Sequence, residues 1–300
     1  MRLLKRTVAR RSAFFHPAVA GPPDRIGSSA VDRVPGQNDA GSLSSFRGWA
    51  RVALGVTAAL SIAAPMRSFA DCTGRCAGWE AVEEYNGTNP DLPKTVVEAV
   101  KFEQAIDDHS ATWITDFSWS DDNAWERDFK ESAQSGTDKL WVDDVDLVLF
   151  AGHGNSSGIF FGVNQGDLQA HWNESTLGDK DLEWLILDAC QVLKNDASKW
   201  NRWGWPVFEG LHYILGYSTN TFDKDSRGED FIKYAMQYGW RVKSAWIKAT
   251  ILSESGTTAA YMRADSATSN TYEDHLWGFG FTSSDPDNPD TLYYLSWSTD

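Results

Sequence analysis

The hydrophobic positions of this chain gather into short apolar runs separated by polar and glycine-rich stretches. Two runs dominate. Val145 to Ala151 (VDLVLFA) leads into His153 and Gly154, and Leu182 to Leu187 (LEWLIL) leads into Asp188 and Cys190. Short continuous runs rich in Val, Leu, Ile and Phe read as strands buried on both faces. A third run, LHYILGYS, lies within 208–218 and reads the same way. Helical spacing is found elsewhere. Val96, Val97, Val100 and Ile106 predict a helix that opens at Leu92-Pro93 and runs to about Asp107. Trp125 and Phe129 fall four apart in a short helix over 121–129, and two more helices are expected at 228–238 and 242–250. Ala111 to Trp119, Ala259 to Arg263 and Tyr293 to Trp297 read as further strands, the last at an edge. Residues 71–89, 152–162 and 283–290 read as irregular or turn-rich. Buried strands alternating with helices predict an α/β fold with a mostly parallel sheet.

The N-terminal part is different in kind. The first 45 residues are rich in Gly, Pro, Ser and Arg and show little periodicity. Arg47 and Arg51 then precede an apolar segment, Val52 to Ala64, and Ser68, Phe69 and Ala70 follow it. A basic flank, a short apolar core and small residues at the cleavage positions predict an export signal at about 47–70, cut before Asp71. The expected product is a secreted or periplasmic chain, 71–300, forming one domain. No later segment is long and apolar enough for a membrane span.

Charge narrows the partners. The whole chain carries a net charge of −15. Residues 1–70 hold ten Lys and Arg against three Asp, which leaves 17 basic against 39 acidic residues in 71–300, a net of −22. That balance excludes nucleic acid and an anionic membrane surface as natural partners.

Candidate chemistry lies at the ends of the two dominant strands. If they are parallel neighbours, His153 and Cys190 emerge on one rim, where open α/β sheets carry their sites. A thiolate nucleophile needs such a base nearby, and the oxyanion that forms needs backbone donors. Gly154 follows the histidine directly and Asp188, Asn155 and Trp203 are expected to border the site. Cys72 and Cys76 lie four apart and form a candidate disulfide for an oxidising compartment. No metal or cofactor pattern is complete. Asp285, Asp287 and Asp290 have a spacing that would suit calcium, in a loop whose Pro286 and Pro289 also suit an ordinary exposed turn.

The sequence resembles a known group at these residues. An apolar strand ending in His153-Gly154, followed by one ending in Asp188-Ala189-Cys190, is similar to the caspase, legumain, clostripain and gingipain cysteine peptidases. Residues 71–300, with the segment GLHYILGYST at 210–219, also resemble an uncharacterised bacterial and fungal domain family with this core. The resemblance implies a caspase-like three-layer sandwich, its mostly parallel sheet flanked by helices. It also implies a His153–Cys190 dyad with an oxyanion held by the backbone of Gly154 and Cys190, and a peptide or protein substrate. The chain departs from the group in two ways. His153 and Cys190 are 37 residues apart, shorter than the roughly fifty of caspases. Gln191 and Val192 follow the cysteine where many members carry glycine.

Two rival readings use the same residues. One is an inactive module on a peptidase-like core that binds peptide or carbohydrate, since residues 71–300 hold 14 of the 15 Trp, with Trp200, Trp203 and Trp205 able to wall a cleft or simply to pack against the sheet. The other is a cysteine acyl hydrolase or transferase acting on a non-peptide substrate.

Overall fold

The computed structural model describes residues 3–10, as strand backbone, and 72–300. The expected signal segment and its cleavage site lie outside the described residues. In chain order the strands are β1 (Leu3–Arg10), β2 (Arg75–Ala81), β3 (Trp113–Ser120), β4 (Leu147–Ala151), β5 (Gly154–Asn155), β6 (Gly158–Phe160), β7 (Gln169–His171), β8 (Trp184–Asp188), β9 (Tyr213–Tyr217), β10 (Thr258–Asp265) and β11 (Thr291–Ser298). The helices are α1 (Thr95–His109), α2 (Arg227–Ile232), which continues as one π-helical turn over Lys233–Gln237, and α3 (Val242–Ser253).

Eight strands form one sheet in the order β1-β11-β10-β9-β8-β4-β2-β3. From β3 to β9 every neighbouring pair is parallel, and β10, β11 and β1 extend the sheet antiparallel. Alternation along each strand assigns the layers. Leu147, Leu149 and Ala151 of β4, Trp184 and Ile186 of β8, and Tyr213, Leu215 and Tyr217 of β9 share one core with Phe102 of α1, Phe231 of α2 and Trp246 of α3. Val148 and Phe150, Leu185 and Leu187, and Ile214 face the other way, onto Phe129, Phe161, Leu177, Val192, Trp203 and Phe208.

All three α-helices therefore lie on one face, and the chain's path explains it. The step from β2 to β3 runs toward one edge and crosses through α1. The steps β3 to β4, β4 to β8 and β8 to β9 run the opposite way. Right-handed crossovers in opposite directions must lie on opposite faces. The second face is thus covered by the segments 121–146, 152–183 and 189–212, which form 3₁₀ turns and the small antiparallel sheet β5-β6-β7. The expected sheet with helices on it is present as a mixed α/β fold, but the second covering layer is not helical. The helix expected at 121–129 is two 3₁₀ turns, Asp121–Asn123 and Glu126–Phe129.

The largest departure from expectation is β2, an interior strand in a stretch read as irregular. Its sequence, RCAGWEA, hides it. Gly78 weakens strand propensity, but a Cβ there would meet the Phe117 ring of β3 at 2.1 Å, so close packing requires glycine. Glu80 breaks the apolar run although it is fully buried. In the full chain β11, expected at an edge, pairs on both sides, with β10 and β1; cleavage before Asp71 would remove β1 and leave β11 at the edge.

Candidate functional site

The parallel strands leave β2 and β4 in opposite directions, so their carboxyl ends border a topological switch point, where α/β sheets usually bind ligands. A cavity opens there. It is lined by Leu92 and Thr95 before and within α1, by Gly152 and His153 after β4, by Cys190 after β8, and by Thr221 and Arg227 after β9. Its volume is about 60 Å³, room for water but not for a sugar ring or an amino-acid residue.

The sequence-predicted residues do meet here. Gly154 packs against the turn after β8, where a Cβ would sit 2.8 Å from the Ala189 Cβ and 3.3 Å from the Cys190 carbonyl oxygen. Gln191 takes the left-handed conformation (φ 57°) that glycine would otherwise supply after the cysteine. His153 and Cys190 both line the cavity, yet they do not bond each other. His153 is held from two sides. Its backbone N–H donates to the Tyr85 hydroxyl at 2.6 Å with the rings 4.7 Å apart, and its Nε2 meets the Pro90 carbonyl at 2.8 Å. The Cys190 thiol turns to Thr221, donating to its carbonyl at 3.6 Å and accepting from its N–H at 3.4 Å. Burial raises the Cys190 pKa, the Thr221 N–H opposes that, and nearby Asp188 adds to the rise. A thiol shifted upward is a poor nucleophile at neutral pH.

Asp188 is occupied elsewhere. It sits on the helix face of β8 and takes a bidentate contact from Arg227 at the start of α2, with Nη2–Oδ1 at 2.6 Å. The same guanidinium reaches Glu254 at 3.4 Å and Glu98 of α1 at 4.0 Å. Burial drives the Glu98 carboxyl well above its usual range, with Asp188 adding to the rise and Arg227 opposing it. Arg227, Glu98 and Glu254 were not expected from the sequence, but a signal existed. A carboxylate ending a fully apolar strand must, once buried, meet a cation or keep its proton.

The other expected residues lie apart from the cavity. Asn155 staples the β5–β6 turn, accepting from the Ser157 and Gly158 N–H groups at 2.7 and 3.2 Å. Trp203 is a core residue, 1% exposed, and Trp200 and Trp205 pack beside it, so this trio is not a cleft wall. Cys72 and Cys76 form the expected disulfide. Among the described residues, the one cluster compact enough for a metal is Cys72, Cys76 and Asp146, and its sulfurs are already joined to each other. Asp285 instead contacts His212 Nε2 at 3.2 Å.

A second concavity is far larger. It is an open groove of about 820 Å³ on the helix face of β10 and β11, beside the amino end of α3. Its lining includes Arg263 and Asp265 of β10, Tyr293 of β11, and Asn270, Tyr272 and Phe281 from the following loops. The Arg263 guanidinium carbon lies 3.8 Å from the Tyr293 ring centroid, and its Nη1 bonds Asp265. Arg263 is 2% exposed and its Nε has no hydrogen-bond partner.

A family model described as a domain of unknown function (DUF6345) matches residues 79–299, from within β2 through β11. The chain belongs to the DUF6345 family. No curated protein matches it. The matched residues hold strands β3 to β11 and the end of β2, and with them both the switch point and the groove. In this chain the expected cysteine hydrolase is overturned, for a peptidase and for an acyl hydrolase alike. Two of the three cysteines are consumed in the disulfide. The third has a raised pKa and is bonded to Thr221 rather than to His153.

Proposed function

We propose that this DUF6345 domain is a non-catalytic binding module, exported and built on a caspase-like core, whose ligand is a peptide or a carbohydrate occupying the groove between Arg263 and Phe281. The observation that carries this reading is the contrast between the two concavities. The strand-end cavity admits only water, whereas the groove has the size of a ligand pocket and combines aromatic rings with a few fixed polar groups. The caspase-like core rests on the resemblance of His153-Gly154 and Ala189-Cys190, and the disulfide suits the oxidising compartment to which an export signal would lead.

The test is binding by the full chain to a peptide array and a glycan array, each beside Phe281→Ala. Phe281 is 62% exposed, so its removal costs little in folding. Binding to one class that the variant loses is the expected outcome. Hydrolysis of any arrayed substrate, abolished by Cys190→Ala, would sink the non-catalytic reading.

A further inference from the structure

Beside the groove lies a cluster of aromatic rings that the groove itself does not account for. The single π-helical turn over Lys233–Gln237 ends α2 and brings three rings together. Tyr234 lies 5.4 Å from Tyr238 and 4.8 Å from Trp240, centroid to centroid. Such turns interrupt a helix at some cost and are frequent at functional sites. Tyr238 is 52% exposed and Trp240 is 39% exposed. An exposed large aromatic group standing together is not the ordinary scatter of single apolar residues on a surface.

The cluster is fastened to the groove's own wall. Gly239, at φ 60°, lies so close to the 272–281 loop that a Cβ there would stand 3.3 Å from the Phe279 carbonyl oxygen. Arg241, next to Trp240, forms an ion pair with Glu273, a groove residue. The Val242 N–H donates to the Asp274 carbonyl at 2.8 Å. Tyr238 and Trp240 are thereby tied to the same loop that leads to Phe281 in the groove lining.

Resting on the groove reading above, we infer that the ligand is a neutral polysaccharide chain, bound in the groove at one point and stacked on Tyr238 and Trp240 at another. Sugar rings offer flat C–H faces to aromatic rings, and their hydroxyls suit exposed polar groups of the groove such as Thr268 and Asn270. Separated stacking positions suit a repeating ligand better than a compact one. The net charge of −22 over residues 71–300 repels acidic polysaccharides and leaves neutral ones.

The experiment is calorimetry with the full chain and three neutral hexasaccharides (of cellulose, chitin and laminarin), their disaccharides, and an alginate hexamer. At least one neutral hexamer binds about tenfold more tightly than its disaccharide, and alginate does not bind. The double variant Tyr238→Ala/Trp240→Ala removes that advantage, while Phe281→Ala weakens hexamer and disaccharide alike. If the double variant binds the hexamer as wild type does, the second contact is wrong and the groove reading stands. If peptides bind in the groove and neutral glycans do not, the ligand class is wrong and the groove reading again stands. If neither class binds, both fall.

Discussion

At the scale of single residues, Cys190 and Arg227 show how neighbours decide chemistry. The same strand end that brings Cys190 near His153 also buries it against Thr221, and burial outweighs the bond from the Thr221 N–H. We expect alkylation of Cys190 by iodoacetamide to be slow at neutral pH and to accelerate only above the ordinary thiol range, with the same profile in His153→Ala. A thiol that titrates below that range, and loses this in the variant, would contradict the arrangement described. Arg227 faces Asp188, Glu98 and Glu254 inside the molecule. Removing one partner from such a cluster leaves uncompensated charge in a poorly solvated place. Arg227→Met should therefore cost about 3–5 kcal/mol in urea denaturation, and a cost below about 1 kcal/mol would mean that the cluster contributes little. The His-Gly and Ala-Cys positions were legible because each is a short motif at the end of an apolar run, which is local. Which way the thiol and the imidazole turn was not, since Thr221 and Pro90 come from distant segments.

At the scale of elements, the strands buried on both faces were the most legible. β4, β8 and β9 announce themselves as apolar runs, and α1 and α3 by their spacing. β2 escaped notice because what makes it interior is fit rather than hydrophobicity. Its Gly78 accommodates the Phe117 ring and its Cys76 N–H donates to Asp146 across 70 residues of sequence, at 2.6 Å. The small sheet β5-β6-β7 escaped because β5 and β6 are short pieces within the glycine-rich stretch 152–162 and β7 is a short piece beyond it. The Cys72–Cys76 bridge sits at the entrance to β2 and closes a short loop, with a sequence separation of 4. Chain entropy assigns so small a loop about 2 kcal/mol, so Cys72→Ala/Cys76→Ala should lower stability by no more than that and leave the sheet intact by circular dichroism. Loss of cooperative unfolding in that variant would show that β2 depends on the bridge to form.

Across the whole molecule, buried acids set the response to pH. Burial pushes Asp138 and Asp146 up to about 7, against a bond from the Lys139 N–H in the first case and the Cys76 N–H in the second. Burial likewise raises Glu80 and Glu183 well above the usual carboxylate range. Each group keeps its proton in the folded chain at pH values where the unfolded chain has lost it. Their contribution to stability is therefore complete below about pH 4 and falls away as the pH rises through about 7. His212 acts in the same direction, because its bonds to Asp274 and Asp285 outweigh the cost of burying its charge and raise its pKa. The thermal midpoint should be higher at pH 5.5 than at pH 8.5, and Asp138→Asn should narrow the difference; a midpoint that climbs over that interval would refute this assignment. The long crossovers on the face opposite the helices bear on how fast the native state is reached. Leu147 and Trp184 are register partners in adjacent strands yet lie 37 residues apart in the chain. Little of the parallel core can be assembled from nearby chain, so each strand pairing has to close a large loop before any contact rewards it. Refolding from denaturant should accordingly be slow for a chain of this size, and dilute protein should recover better than concentrated protein, because half-assembled sheets expose their edges while they wait.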